Sequence, residues 1–219
     1  MSILNNLLVF LYKFLYRTNQ IICIKNGKEK KKFFIKGLKI RFKGDNSTII
    51  LHEPFEFKRS KIIVRDNCKV EILENAIINK LTTTDMQNNS TLKIGKNFYC
   101  GSLKVYLHDE PNNSIIIGDH CMFSTDVLLR PSDAHPIVSS ENIRLNPPQP
   151  IEIKDRVWVG MNCVILKGSS IPENSILSAC SIFTRKSYKS GDEEKIGLDG
   201  RIFMGNPAKC VKHGDFTWK

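Results

Sequence analysis

His135 is the side chain in this sequence best suited to proton transfer, and Asp133 stands two residues before it. An imidazole with a pKa of about 6.5 can accept a proton from a hydroxyl group as that hydroxyl attacks an electrophile. A neighbouring carboxylate can orient such a ring and stabilise its protonated form. Spacing alone leaves alternatives open: His135 can be a surface histidine, a backbone carbonyl can orient the ring, and Asp133 can cap a turn.

Both residues lie in a proline-rich stretch, residues 130–150, that contains Pro131, Pro136, Pro147, Pro148 and Pro150. Proline cannot donate a hydrogen bond to a neighbouring strand, so this stretch cannot consist of inner strands. Long loops on a rigid scaffold usually have a functional role. We therefore expect an inserted loop that presents His135.

The scaffold around the loop is predicted from a six-residue repeat. An aliphatic or aromatic residue recurs at every sixth position, as Ile153, Val159, Ile165, Ile171, Leu177 and Phe183. Mostly small residues follow four places later, and looser repeats occur upstream. This double period fits neither a helix nor an alternating strand. It predicts an all-β solenoid in which each coil packs on its neighbours.

The two ends of the chain depart from the repeat. Residues 2–17 have apolar side chains at helical spacing, which predicts an amphipathic helix, and a basic segment follows to residue 32. We expect this helix to dock on the solenoid or on a neighbouring subunit, with attachment to a membrane surface as the alternative. The solenoid is predicted at 33–185, and a C-terminal loop and extension at 186–219.

Composition limits the partners and the compartment. The net charge of +11 suits a membrane surface, a phosphorylated cofactor or an acidic glycan, although a solvated basic face would explain it too. No RNA-binding or zinc-finger signature accompanies the charge, so nucleic acid is not expected. The seven cysteines form no CxxC pair, and the histidine spacing gives no zinc motif, so no metal is expected. A reducing, cytoplasmic location is predicted, with the inner face of the membrane as the alternative.

Three segments resemble the hexapeptide-repeat acyltransferases: SDAHPI at 132–137, IEIKDRVWVGMNCVILKGSSIPENSIL at 151–177 and MGNPAKCV at 204–211. Within that superfamily the chain is similar to bacterial polysaccharide O-acetyltransferases, including the sialic-acid capsule type. The resemblance implies a left-handed parallel β-helix, a homotrimer, and acetyl-CoA bound in clefts between subunits. It implies direct O-acetylation of a carbohydrate hydroxyl in capsule or lipopolysaccharide. N-acylation of an amino nucleotide sugar and a non-catalytic trimeric scaffold remain the alternatives.

The resemblance also implies roles for individual residues. His135 stands at the family's catalytic position, Asp133 beside it, and Trp158 at the wall of the acceptor or acetyl site. The contacts with CoA are expected from Trp158, Gly160, Lys167, Gly168, Ala179, Thr184, Arg185, Pro207 and Lys209. The chain departs from the family pattern at Ser178 and Cys180, where glycines are usual, and at Arg185, where lysine is usual.

Overall fold

The computed structural model describes residues 18–188 and 200–218, which form a parallel β-solenoid of seven coils. This confirms the predicted all-β solenoid. The helix predicted over 2–17 lies outside the described residues, as does most of the polar stretch 186–200. In the part of the chain that the structure describes, no helix is long and apolar enough to cross a bilayer.

The strands are short and follow one another around each coil. The first four coils contain β1 (Gln20–Lys25), β2 (Lys28–Lys31), β3 (Leu38–Phe42), β4 (Thr48–His52), β5 (Phe55–Phe57), β6 (Ser60–Val64), β7 (Lys69–Ile72), β8 (Ala76–Ile78), β9 (Leu81–Thr83), β10 (Thr91–Ile94), β11 (Tyr99–Cys100) and β12 (Leu103–Val105). The later coils contain β13 (Ser114–Ile117), β14 (Met122–Phe123), β15 (Val127–Arg130), β16 (Ile151–Ile153), β17 (Trp158–Val159), β18 (Val164–Leu166), β19 (Ser170–Ile171), β20 (Ser175–Leu177) and β21 (Ile182–Phe183). After the last coil come β22 (Gly200–Gly205) and β23 (Ala208–Gly214).

Equivalent strands of successive coils stack into three sheets, and the chain passes around each coil in the order sheet A, sheet C, sheet B. Sheet A has the order β19-β16-β13-β10-β7-β4-β1-β2, and sheet B the order β21-β18-β15-β12-β9-β6-β3. Sheet C has the order β23-β22-β20-β17-β14-β11-β8-β5. All neighbours within the coils are parallel; only the pairs β1–β2 and β22–β23 are antiparallel.

The residues of the six-residue repeat form the core. Ile153 pairs in register with Ile117 below and Ile171 above, and Ile165 pairs with Leu129 and Phe183. All of these side chains are buried. The small positions of the repeat are buried as well, as Val157, Cys163, Ser169, Ser175 and Ser181. Burial of each aliphatic side chain contributes about 1.5–3 kcal/mol, so the stacked columns stabilise the solenoid.

Asparagine makes the tight corners possible. Asn75, Asn97 and Asn174 have φ values of 62°, 54° and 53° at the equivalent corner of the third, fourth and seventh coils, where His120 and Arg156 take the same conformation in the coils between. This left-handed conformation is disfavoured for most L-residues but is tolerated by asparagine. The Asn75 amide nitrogen also donates to the Asn97 side-chain oxygen at 2.9 Å, which links one coil to the next.

The solenoid begins before the boundary predicted at residue 33. Strand β1 pairs in parallel with β4, and its Ile21 and Cys23 point into the core. The repeat is hidden in the sequence because β1 turns back on β2 through Asn26 and Gly27, which have φ values of 51° and 72°. At the other end β22 continues sheet C by stacking on β20, so part of the predicted extension belongs to the sheet.

The central column provides a test of the fold. Ile165→Ala removes buried methyl groups from a side chain that is 0% exposed, and we expect it to lower the free energy of unfolding by about 2–5 kcal/mol. The exposed control Glu173→Ala should change it by less than about 0.5 kcal/mol. Urea unfolding followed by circular dichroism measures both variants. Equal midpoints for Ile165→Ala and the wild type would contradict the packing described.

Candidate functional site

The proline-rich loop begins and ends at the corner between sheets B and A. It follows β15 and precedes β16, so it is inserted between the fifth and sixth coils. A bridge between Val138 and Arg144 folds its tip back on itself, and Ser139 accepts the Asn142 amide at 3.0 Å. The insertion therefore has an ordered conformation of its own.

A buried side-chain amide, that of Asn146, holds the backbone at His135 and directly after it. Its side-chain nitrogen donates to the His135 carbonyl at 2.9 Å, and its side-chain oxygen accepts the Ile137 amide at 2.6 Å. Ala134 takes a left-handed conformation with φ of 68°, and its amide donates to Ser132 Oγ at 3.0 Å. Sequence reasoning missed Asn146, because a single asparagine among prolines gives no pattern.

Asp133 is bound to the loop and to the solenoid. Its carboxylate accepts hydrogen bonds from Lys167 Nζ and, at 3.0 Å, from Asn146 Nδ2. Partial burial raises the pKa of this carboxyl group, but the bonds from Lys167 and Asn146 outweigh that effect, so the pKa lies below its usual value. Lys167 Nζ also approaches the Asn146 carbonyl at 3.3 Å. Asp133 and Lys167 therefore fix the position of the loop on the sixth coil.

The imidazole of His135 is exposed and, within residues 18–188 and 200–218, makes no hydrogen bond. No hydrogen bond joins it to the Asp133 carboxylate in that part of the chain, so orientation of the ring by Asp133 stays a prediction. The main chain of His135 is nevertheless held at both its N–H, which donates to the Asp133 carbonyl at 2.8 Å, and its C=O. The ring is thus presented to solvent from a fixed backbone.

A second loop, residues 106–113, supports the insertion from the coil below. Asp109, whose side chain is 4% exposed, pairs with the Arg130 guanidinium at 3.1 Å, where the insertion begins. Glu110 forms an ion pair with Arg144 near the tip, and Asn113 donates to the Pro131 carbonyl at 3.1 Å. The turn-forming residues of the DEPNN segment, 109–113, favour a loop here, and the structure adds its contacts with the inserted loop.

Trp158 lies on the outer face of sheet C, at the corner that follows sheet A. It is 36% exposed and packs against Trp218 with ring centroids 6.5 Å apart. Trp218 in turn donates from Nε1 to the Arg156 carbonyl at 2.8 Å. The C-terminal residues thus reach back to the predicted pocket residue, a contact with no signal in the sequence.

Two of the predicted CoA positions form a close backbone contact. A Cβ atom on Gly160 would lie 2.6 Å from the Ala179 amide nitrogen, so only glycine fits there. Pro207 and Lys209 are exposed beyond the same sheet, in and after the turn that joins β22 to β23. The surface between these residues is open to an extended ligand.

The remaining predicted CoA positions lie at the other corner, beside the end of the inserted loop. Gly168 has φ of 69°, and a Cβ atom there would lie 2.2 Å from Gln149 Oε1 and 3.3 Å from Arg185 Cδ. Thr184 accepts the Lys186 amide at 3.2 Å, and Arg185 is exposed. Gly168 and Arg185 therefore lie under the loop that presents His135.

The candidate residues fall into two groups on one chain. His135, Lys167 and Arg185 lie at the corner between sheets B and A, whereas Trp158 and Ala179 lie along sheet C. One side of a coil, about five residues of extended chain, separates the groups by roughly 15 Å. The two groups therefore lie on different faces of a single chain.

No family model matches the chain. A curated relative, the polysialic acid O-acetyltransferase of Neisseria meningitidis, is 27% identical over 126 residues, which are 57% of this chain and 58% of the relative. The galactoside O-acetyltransferase of Escherichia coli K12 is 32% identical over 99 residues, 44% of this chain and 46% of the relative. The chain therefore spans about half the length of these relatives.

Solved structures agree with these relatives. The crystal structure of the polySia-specific acetyltransferase NeuO has a TM-score of 0.72 at 25% identity and covers 92% of this chain and 79% of its own. The structure of the polysialic acid O-acetyltransferase OatWY has a TM-score of 0.58 at 21% identity, and the match covers 92% of this chain and 90% of OatWY. At this identity the match supports only the fold. The resemblance to hexapeptide-repeat acyltransferases is confirmed.

The loop contacts make a prediction about local order. Asn146→Ala removes the acceptor of the Ile137 amide and the donor to the His135 carbonyl, so hydrogen exchange at Ile137 should accelerate about tenfold, as for the loss of one net hydrogen bond. Ser140→Ala, at an exposed site in the same loop, is the matched control and should leave exchange unchanged. Exchange measured by NMR compares the two. Unchanged protection of Ile137 in Asn146→Ala would show that the prolines alone hold the loop.

Proposed function

We propose that this protein is an acetyl-CoA-dependent O-acetyltransferase that modifies a carbohydrate hydroxyl of a cell-surface polysaccharide. The observation that supports this most directly is His135, whose ring is exposed while its backbone is fixed by Asn146. The similarity to a polysialic acid O-acetyltransferase and a galactoside O-acetyltransferase supports acetylation of a carbohydrate.

In the proposed reaction the imidazole of His135 takes the proton of the acceptor hydroxyl. The oxygen attacks the thioester carbonyl, the C–S bond breaks, and the CoA thiolate recovers the proton from the imidazolium. A general base of this kind contributes about 10²–10⁴-fold to the rate. The oxyanion needs a hydrogen-bond donor, for which a backbone N–H near the cleft is the simplest source.

The burial of five cysteines agrees with direct transfer of the acetyl group from CoA to the acceptor, without a thiol nucleophile. Burial raises the pKa of Cys100 and Cys121 to about 12, and Cys23, Cys68 and Cys163 are also buried with raised pKa values. A protonated, buried thiol is a poor nucleophile. These five cysteines therefore suit packing, and a hydroxyl activated by His135 needs no covalent acyl-enzyme.

The residues present fit an acyl-CoA donor. Ala179 is small and exposed above the buried Gly160, which suits an extended pantetheine arm, and the exposed Arg185 and Lys209 suit the phosphates of CoA. A side chain at position 168 would collide with Gln149, so the corner beneath the inserted loop has room only for glycine. These residues lie on two faces of one chain, which is why the proposed site spans two subunits.

Two outer faces of the solenoid support a homotrimer. Sheet C presents an apolar column in register, Ile77, Tyr99, Met122, Trp158, Ile176 and Ile202. The later coils of sheet B present a second column, Leu128, Val164 and Ile182. Contact between two different faces, repeated by rotation, closes a ring. The exposed apolar loop residues Ile137, Ile143 and Leu145 would be covered in the same assembly.

We further propose a left-handed coil, a cytoplasmic location with the inner face of the membrane as the alternative, and an N-terminal helix that docks on a subunit or on lipid. These follow from the sequence and from the family resemblance rather than from the described residues.

Loss of the proposed base gives the central test. We expect His135→Ala to lower kcat by at least about 10²-fold, with acetyl-CoA binding and subunit assembly retained. Release of the CoA thiol in the presence of a polysialic acid acceptor measures turnover, and calorimetry measures donor binding. The exposed control His120→Ala should retain wild-type turnover. Near-normal transfer by His135→Ala would remove His135 from the mechanism.

A shared site predicts complementation between inactive variants. His135→Ala and Trp158→Ala, each expected to be inactive as a pure assembly, should regain activity when refolded together, because some interfaces then pair an intact His135 with an intact Trp158. Wild-type protein refolded with either variant is the control. Mixtures that stay inactive would place both residues in one subunit's site.

The kind of acceptor that is acetylated distinguishes an O-acetyltransferase from an N-acyltransferase and from a non-catalytic scaffold. Hydroxyl and amino acceptors are offered with labelled acetyl-CoA, and NMR maps the linkage of the product. We expect an acetyl ester on a sugar oxygen. An amide product would establish N-acylation, and a protein that neither binds nor consumes acetyl-CoA would be a scaffold.

A further inference from the structure

We infer that the first four coils of sheet B form a binding strip for an extended anionic polysaccharide and lead that acceptor to His135. This inference rests on the proposed function and adds to it the surface of the solenoid on which the acceptor chain binds. The strip consists of a central column of exposed lysines and of cations beside it: Lys39, Lys61, Lys104, Arg41, Arg59 and Lys80.

The register of the sheet aligns these charges along the solenoid. Lys39 pairs directly with Lys61, and Lys61 is followed in the same column by Thr82 and then by Lys104. Neighbouring strands lie about 4.8 Å apart. Like charges directly opposite each other in a sheet are destabilising. An arrangement that costs stability in the free protein is relieved when an anion lies across the column.

The six cations of the strip make no ion pair within the described residues. Lys104 instead lies over the ring of Tyr106, 4.6 Å from its centroid. The acidic groups nearest the strip are Asp126, which Ser102 contacts at 3.0 Å, Glu56 beside Lys58, and Asp85, which is already paired with Lys43 and Arg65. The face therefore keeps an excess of positive charge.

Several lysines on sheet A and at its edge are, by contrast, paired with acidic side chains. On sheet A Lys69 pairs with Glu71 at 3.2 Å, and at the corner that follows this sheet Lys96 pairs with Glu74 at 3.0 Å and Lys154 with Glu152 at 2.5 Å. The sheet B lysines have no such partners although the two sheets have the same spacing. Sheet A also has exposed lysines outside these ion pairs, such as Lys28 and Lys30, so what distinguishes the strip is its alignment with the inserted loop and not its unpaired charge alone.

The strip runs parallel to the solenoid axis and ends beside the catalytic loop. Lys104 pairs in register with Leu128, and two residues later Arg130 leads into the insertion that contains His135. A groove of about 390 Å³ lies at this end, lined by Lys80, Thr82, Ser102, Lys104, Asp126 and Leu128 among others. Its hydroxyls suit sugar oxygens and its lysines suit carboxylates, so it fits an acidic sugar chain.

A linear polymer suits this geometry better than a lipid surface does. The strip is one sheet wide and several coils long, and its direction carries a bound chain toward His135. Repeated carboxylates along such a chain would neutralise successive coils. A flexible acceptor held in this way passes many hydroxyl groups through the site at a high effective concentration.

The test compares two charge-matched double variants of the full chain. Lys61→Gln with Lys104→Gln removes two strip charges, and Lys96→Gln with Lys154→Gln removes two paired charges at the edge of sheet A. Binding of labelled long-chain polysialic acid is measured without any acyl donor, and acetyl transfer is then measured on the long chain, on a sialic acid trimer and on neutral dextran. Circular dichroism verifies that each variant is folded.

We expect the strip variant to bind the long chain about tenfold more weakly, as for two exposed ion pairs, and to show a raised KM with an unchanged kcat. The sheet A variant should match the wild type, and the wild-type affinity for the long chain should fall with salt. Transfer to the trimer should be the same in all three proteins. This pattern would establish the strip as a polymer site.

Equal long-chain affinity in the two variants would overturn the inference, and so would a strip variant that loses binding to phosphatidylserine vesicles or to single-stranded DNA but keeps binding to polysialic acid. The proposed function fails separately, when the wild type acetylates none of the acceptors. Because binding of polysialic acid is measured without an acyl donor, the binding data still test the strip even if the protein has no acetyltransferase activity.

Discussion

The in-register stacking of inward side chains from coil to coil is the constraint on which the structure depends. No single coil buries its own apolar face, because each contacts only the coil above and the coil below. Ile165 is enclosed because Leu129 and Phe183 lie in register with it. This periodic contact fixes the outward positions as well, so every surface column of the solenoid is aligned by the packing of the core.

Rigid stacking also explains how a loop can be inserted without loss of the fold. Strands β15 and β16 sit in adjacent coils, so the ends of the insertion are held close together, and lengthening such a loop costs little further entropy. The loop is then ordered by polar contacts with its surroundings rather than by a core of its own. Asp109 and Lys167 contact it from the coils on either side, and Asn146 sets the conformation next to His135.

Features that repeat along the chain could be predicted from the sequence, whereas contacts between residues distant in the chain could not. The buried positions from Ile153 to Phe183 were predictable, since a period read along the chain is the period of the core. The ion pair of Asp133 with Lys167 was not, because it joins residues 34 positions apart whose proximity exists only once the coils are stacked. The early start at Gln20 was obscured by a hairpin, although Asn26–Gly27 is a strong hairpin signal. The lysine column escaped notice because Lys39, Lys61 and Lys104 belong to different coils and become neighbours along one face only once the coils are stacked.

The outer surface of sheet B changes character between Lys104 and Leu128, which are neighbours in one column. Below that step the column is cationic, and above it Leu128, Val164 and Ile182 are aliphatic. An apolar column is stable where another subunit covers it, whereas exposed lysines need water or an anion. A neighbouring subunit can therefore cover the later coils while the earlier coils stay open. The inserted loop leaves the solenoid at this same step, so the division of one sheet between a subunit and a ligand would bring the proposed polymer strip, the proposed donor site and His135 to a single place.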